Sequence, residues 1–188
     1  APVVGTLHDR DSARILDAAP TLIVVQDRAA DAALVRLAEQ CGATLEVRHV
    51  DSLESIRAMA RSMAERLGEQ GYPQAAANLA ALEARARDAE RAAGPTVAAS
   101  GRTVLLFGAD PPSAFGQGTF ASDLWQALGG TNAITRQGYP ELTLEDIVAL
   151  DPDRIVLVRM RPGEIPPALA ALPEGLRTRV RSVVAPEL

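Results

Sequence analysis

Apolar and polar positions along this chain follow two alternating rhythms. Short β-branched runs (Val3-Val4, Leu22-Ile23-Val24-Val25 and Thr44-Leu45-Glu46-Val47) sit next to alanine-rich stretches whose apolar residues recur at helical spacing. Such alternation predicts βαβ units and a parallel sheet. Asp11-Ser12 supplies a cap for a helix through Ala18, and Pro20 then turns the chain out of helix and into a strand from Leu22 to Val25. Asp27 to Gln40 reads as the next helix, stopped at Gly42.

From Leu53 onward the helical rhythm dominates. One helix reaches Leu67, a break covers Gly68 to Gly71, and a second helix runs from Pro73, a residue suited to a helix start, to about Ala93. At 1.5 Å per residue this second helix spans roughly 30 Å, enough to bridge two lobes. Gly94 to Gly101 reads as a loop. The alternation then restarts: strand Thr103 to Phe107, a Pro/Gly-rich loop Gly108 to Gly118, helix Thr119 to Leu128, a turn at Gly129-Gly130, and helix Thr143 to Leu150. A strand from Arg154 to Val158, a helical segment near Ile165 to Leu172 and a last strand at Val180 to Val184 follow. The pattern predicts two α/β units flanking one long helix.

An internal repeat supports that division. Ser12 to Val25 lies on Leu144 to Leu157 without a gap, so that Ile15, Pro20, Ile23 and Val24 meet Ile147, Pro152, Ile155 and Val156. Helix, proline and buried strand are also a common grammar of α/β proteins, which is the plainer explanation.

Composition narrows the function classes. The 188 residues are 47% apolar and only 3% aromatic, as expected of a folded α/β protein, and no apolar run approaches the roughly 20 residues of a membrane-spanning helix. A net charge of −5, with arginine as the only basic residue besides two histidines, argues against a nucleic-acid partner. Cys41 stands alone, so no internal disulfide can form. His8 and His49 have no partners in the sequence that suggest a triad, and two histidines are too few for a zinc or manganese centre. No resident cofactor or metal is expected. The N-terminus lacks the regions of a secretory signal, which is read as a sequence starting inside a longer precursor.

Three segments carry a family resemblance. Phe107-Gly-Ala-Asp-Pro-Pro-Ser-Ala-Phe-Gly-Gln-Gly-Thr-Phe120, Asp123-Leu-Trp-Gln-Ala-Leu-Gly-Gly-Thr-Asn132, and Tyr139-Pro-Glu-Leu-Thr-Leu-Glu145 continuing to Asp151-Pro-Asp-Arg-Ile-Val156 occur in this order. Together they resemble the strand, cleft loop, Gly-Gly-x-Asn helix end and aromatic-Pro loop of the cobalamin and ferric-siderophore class of periplasmic binding proteins. Val4 to Val24 resembles the later part of that family's first lobe, and Ser52 to Ala93 its inter-lobe helices. The resemblance implies an α/β fold of two Rossmann-like lobes joined by a long inter-lobe helix, the first lobe partial. Its divisions are 1–52 for that lobe, 53–101 for the helices and linker, and 102–188 for the second lobe. It further implies an extracytoplasmic, non-enzymatic binding protein that captures a corrinoid or ferric siderophore in the inter-lobe cleft and delivers it to the transmembrane permease of an ABC importer.

Ligands of α/β folds bind where strands end at their carboxyl termini, and a bulky chelate needs apolar walls with a few hydrogen-bonding groups. Ser113, Phe115, Gln117 and Tyr139 have that chemistry, and Arg28 and Arg159, each at a strand end, are further candidates. The plainer readings are loop anchors for the aromatics and solvated surface for the arginines. In the family one surface glutamate on each lobe engages permease arginines. Glu145 matches the second-lobe position, whereas Ala13 stands at the first-lobe position, with Asp9 or Asp11 as substitutes. Two rivals stand beside this reading. Gly116-Gln-Gly-Thr-Phe-Ala121 fits the loose form of a dinucleotide loop, although Gly108 to Phe115 separate it from its strand. The fold can also persist as an interaction protein with a degenerate cleft.

Overall fold

The computed structural model describes residues 11–26, 31–109 and 111–185. The chain divides into two compact units, Ala1–Val50 and Asp51–Leu188.

In the first unit, helix α1 (Ser12–Asp17) is capped by the Asp11 side chain, which accepts from the Arg14 N–H at 3.1 Å. Strand β1 (Leu22–Gln26) pairs in parallel with β2 (Thr44–Arg48), Leu22 opposite Thr44 and Gln26 opposite Arg48. Between them runs α2 (Ala32–Cys41), capped by Asp31, whose carboxylate accepts from the Leu34 N–H at 2.8 Å. The Asp31 carboxylate satisfies one open amide at the start of a helix that packs Leu34 and Leu37 inward, and residues 27–30 of the expected helix lie outside the described residues. Gly42 ends the helix in the left-handed conformation, at φ 66°. Ile15, Leu34 and Leu37 form a small core against Ile23, Val25 and Leu45. The strand expected at Val3-Val4 lies outside the described residues.

The second unit opens with a helical hairpin, α3 (Leu53–Glu69) and α4 (Gln74–Ala98). Ser52 and Ser55 exchange capping hydrogen bonds at the start of α3. The hairpin is antiparallel, with Arg57 reaching Glu90 at 2.7 Å and Arg61 reaching Glu83 at 3.4 Å. A loop was expected from Gly94, yet α4 continues through Gly94 and Pro95 to Ala98. Pro95 removes one helical donor, but Val97 is buried one residue from the end and Ser100 Oγ donates to the Thr96 carbonyl at 2.8 Å. Local breaker signals yield here to tertiary burial.

The sheet of this unit is built on β3 (Arg102–Ala109). On one side β3 pairs in parallel with β6 (Arg154–Arg159), and β6 with β7 (Val180–Val184). On the other side it pairs with the short β5 (Thr131–Asn132) near its start and antiparallel to β4 (Pro112–Ala114) near its end. Val104, Leu106, Ile155 and Leu157 are buried as a near-continuous apolar run should be in a parallel strand. They share one core with Ile147 of α6 (Leu144–Leu150), Leu169 of α7 (Pro167–Ala170) and Leu176 of α8 (Glu174–Arg177). Helix α5 (Phe120–Ala127) follows β4, with Thr119 accepting from the Ser122 N–H at 3.4 Å. The Gly108 to Gly118 stretch, read as loop, thus contains β4, whose three residues carry too little pattern to register as a strand.

Candidate functional site

The site begins with an irregularity in β3. Its register against β4 shifts between Leu106 and Gly108, so Phe107 has no partner across the pair. An unpaired strand residue re-aims its side chain. Phe107 is accordingly 42% exposed, although Leu105 and Leu106 before it are buried. Its ring meets two others: the centroid of Phe115 lies 4.7 Å away and that of Tyr139 5.6 Å away, edge-on at 88°. Phe115 and Tyr139 close the triangle at 6.1 Å. Half of the chain's six aromatic side chains, three of its Phe, Tyr and Trp residues together, therefore gather at the carboxyl end of β3.

Two strands of backbone hold the rings in place. Ala114 N–H donates to the Pro140 carbonyl at 2.9 Å, Gly116 N–H to Gly138 at 2.8 Å, and Gln117 N–H to Arg136 at 2.8 Å. Phe115 N–H turns the other way, to the Leu105 carbonyl at 2.9 Å. The Phe115 segment is thus pinned between β3 and the Tyr139 segment. Gly116 is buried within this weave, and a Cβ there would run into the Arg136 carbonyl oxygen. That close approach is what its glycine is for, and Gly118, at φ 71°, permits the turn into α5. Both glycines of the apparent dinucleotide fingerprint are explained by backbone packing.

The sequence-derived candidates fall into three groups. Ser113, Phe115, Gln117 and Tyr139 come together on the paired segments: Ser113 bridges Glu141, and Gln117 bridges Gln137 with their side-chain amides 3.4 Å apart. Arg159 ends β6, but its guanidinium donates to the Glu164 carbonyl at 2.7 Å, folding over the loop after the strand. Arg28 lies outside the described residues. Glu145 is exposed in the first turn of α6, and Ala13 is exposed on α1. Phe107 was read only as a strand residue of a motif. The glycine after it, inside a strand pattern, is the signal that marks a bulge.

Electrostatics around the rings are mild. Among the described residues no group of three or more His, Cys, Asp or Glu side chains is arranged to hold a metal ion. Beside Glu145, Asp146 is held below the usual aspartate range, chiefly because its carboxylate accepts the Thr143 backbone N–H at 2.9 Å. The Thr143 hydroxyl and the Arg136 guanidinium, 4.0 Å away, act in the same direction. The three rings thus form a partly exposed aromatic surface at the end of the sheet.

Comparison with known proteins agrees with this description. Among solved structures, the periplasmic heme-binding protein BhuT in complex with two hemes superposes with a TM-score of 0.68 at 23% identity, over 97% of this chain and 73% of its own. The heme-binding RhuT from Roseiflexus sp. RS-1 gives 0.64 at 23% identity, over 97% and 74%. The vitamin B12 binding protein BtuF of Vibrio cholerae gives 0.61 at 18% identity, over 96% and 70%. At these identities the likeness is one of fold. No curated protein matches the chain. No helix among the described residues is long and apolar enough to cross a membrane. A profile of the periplasmic binding protein family matches residues 1–175, and the chain belongs to that family of extracytoplasmic substrate-binding proteins of ABC importers, which are not enzymes.

Proposed function

We propose that this chain captures a bulky metal chelate with a flat conjugated face, a cobalamin-like corrinoid or a related tetrapyrrole in preference to an open ferric siderophore, and delivers it to an ABC permease. The observation that carries the reading is the triangle of Phe107, Phe115 and Tyr139, two of its rings exposed and Phe115 half-buried, at the carboxyl end of the central strand. Aromatic walls gain most from a planar π-system, which buries a large apolar area and stacks. Ser113 and Gln117, on the same segments, supply hydrogen bonds at the rim, and Arg28 and Arg159 supply charge for peripheral carboxylate or phosphate groups. Any metal comes inside the ligand. Fold neighbours that bind heme or vitamin B12 support the chelate class, beside one from an Fe3+-hydroxamate transport system.

In this reading residues 1–52 are part of the first lobe, 53–101 the connecting helices and 102–188 the second lobe. Glu145, exposed on α6, is the permease-docking residue, contributing orientation and on-rate more than affinity. Ala13 cannot act in the same way, and Asp11 is engaged in capping α1 and in an ion pair with Arg14 at 3.2 Å.

Titration with hemin, cyanocobalamin and ferrichrome, followed by absorbance and calorimetry, tests the proposal. Saturable binding of hemin or cyanocobalamin is expected, with weaker or no response to ferrichrome and to NADH. Silence toward hemin, cyanocobalamin and ferrichrome alike overturns the transport reading and leaves the interaction-protein alternative.

A further inference from the structure

We infer that Asn132, at the end of the Gly-Gly-Thr-Asn motif, is a positioning residue for ligand capture, acting through the carbonyl of Phe115. The inference rests on the ligand-binding reading of the aromatic triangle. Asn132 belongs to β5, which β3 pairs at Thr103, far along the strand from Phe107. Its side chain makes three hydrogen bonds. Nδ2 donates to the Phe115 carbonyl at 2.8 Å and to Ser122 Oγ at 2.9 Å, while Oδ1 accepts from the Ile134 N–H at 3.0 Å.

The orientation of the amide follows from its partners, because only the NH2 group can donate to a carbonyl and only the oxygen can accept from a backbone N–H. Ser122 is fully buried and belongs to α5. One amide therefore ties the backbone of Phe115 to the helix that follows it and to the strand edge beside it. Without this tie the Phe115 carbonyl loses its Asn132 donor, and only the bonds to Leu105 and to the Tyr139 segment are left to hold the ring at its 4.7 Å contact with Phe107.

The isosteric Asn132→Asp keeps the oxygen facing Ile134 but sets a carboxylate oxygen against the Phe115 carbonyl. Asn132→Ser is made beside it, because it removes the reach without adding charge and keeps the test valid if the aspartate variant does not fold. Each is expected to weaken binding of hemin or cyanocobalamin, whichever the unaltered chain takes up, by about tenfold. The loss should nearly vanish when Phe115 is already leucine, a non-additivity that a merely structural residue does not show. Ile147→Val, a core change of comparable destabilisation, should leave affinity intact.

A second reading needs no ligand. In protein labelled with 4-fluorophenylalanine, the resonances assigned by Phe107→Leu and Phe115→Leu should both move in the Asn132 variants. Unmoved resonances, or additive affinity losses, overturn the positioning role. A chain that binds neither hemin nor cyanocobalamin while its resonances do move overturns the ligand reading instead, and with it the role in capture.

Discussion

Ala19 and Asp151 occupy the same place in the chain's internal repeat, and both adopt the left-handed backbone conformation, at φ 42° and 37°. They are the only non-glycine residues with positive φ among those described. Each closes a helix, donating its N–H to the carbonyl three residues back, Leu16 at 3.0 Å and Val148 at 3.1 Å. Each is followed by the proline that starts the way into a strand. The repeat is thus one of backbone conformation as well as of sequence.

The two residues bear the strain differently. Asp151 accepts from Arg179 at 2.9 Å, and its short polar side chain tolerates this conformation, whereas alanine has neither advantage. Ala19→Gly is therefore expected to stabilise the chain by about 0.5–1 kcal/mol, the relief of Cβ strain exceeding the added flexibility of the unfolded state. Asp151→Ala should destabilise by about 1 kcal/mol. Urea denaturation followed by circular dichroism measures both, and the two shifts should have opposite signs.

Gly116 and Gly138 face each other in the weave that holds Phe115, yet they respond differently to a methyl group. At Gly116 a Cβ would meet two backbone carbonyls, which cannot yield without breaking the Phe115 segment from the Tyr139 segment. At Gly138 nothing lies within 4 Å, and only the φ of 69° is unfavourable. Gly116→Ala should cost about 3 kcal/mol and abolish ligand binding, and Gly138→Ala about 1 kcal/mol with binding largely kept. Thermal unfolding and titration with hemin or cyanocobalamin read both effects, and equal behaviour of the two variants would contradict the geometry.

The alternation of strands and helices, and the repeat at Ser12 and Leu144, were legible because buried parallel strands and amphipathic helices leave long-period signals. Phe115 and Tyr139 were legible as loop aromatics within family-like motifs. Less visible was anything decided by contacts distant in sequence. Pro95 and Gly94 read as a helix end, but burial of Val97 carries α4 past them. Phe107 read as a strand residue, but a register shift against β4 brings its ring to the surface. In each case local chemistry offered a default that packing across many residues replaced.

The start of α6 is expected to respond to acid. Asp146 has its carboxyl held down chiefly by the Thr143 backbone N–H. A carboxylate with a depressed folded value contributes stability that is fully present above the ordinary aspartate value, about 4, and is lost as pH falls through the lowered folded value. Asp146→Asn should remove that pH dependence. The difference in unfolding free energy between the unaltered chain and the variant should then be constant from neutral pH to about pH 5 and shrink steadily below about pH 4. A difference that grows on acidification would contradict the sign.

Phe107 offers the sharpest separation of stability from function. Its neighbours Leu105 and Leu106 are buried, while Phe107 itself is 42% exposed and packs its ring on Phe115 and Tyr139. Truncating a half-exposed aromatic forfeits part of its burial and its ring contacts, about 1 kcal/mol, much less than removal of a core phenylalanine. A ligand stacked on the triangle would lose one of three walls, and central aromatic contacts dominate such interfaces. Phe107→Ala should therefore lower the unfolding midpoint only slightly while weakening hemin or cyanocobalamin binding by about tenfold or more. Phe107→Tyr, which keeps the ring, should retain most of the affinity. If the alanine variant binds as tightly as the unaltered chain, the aromatic triangle is not where the ligand rests, whatever the fold around it resembles.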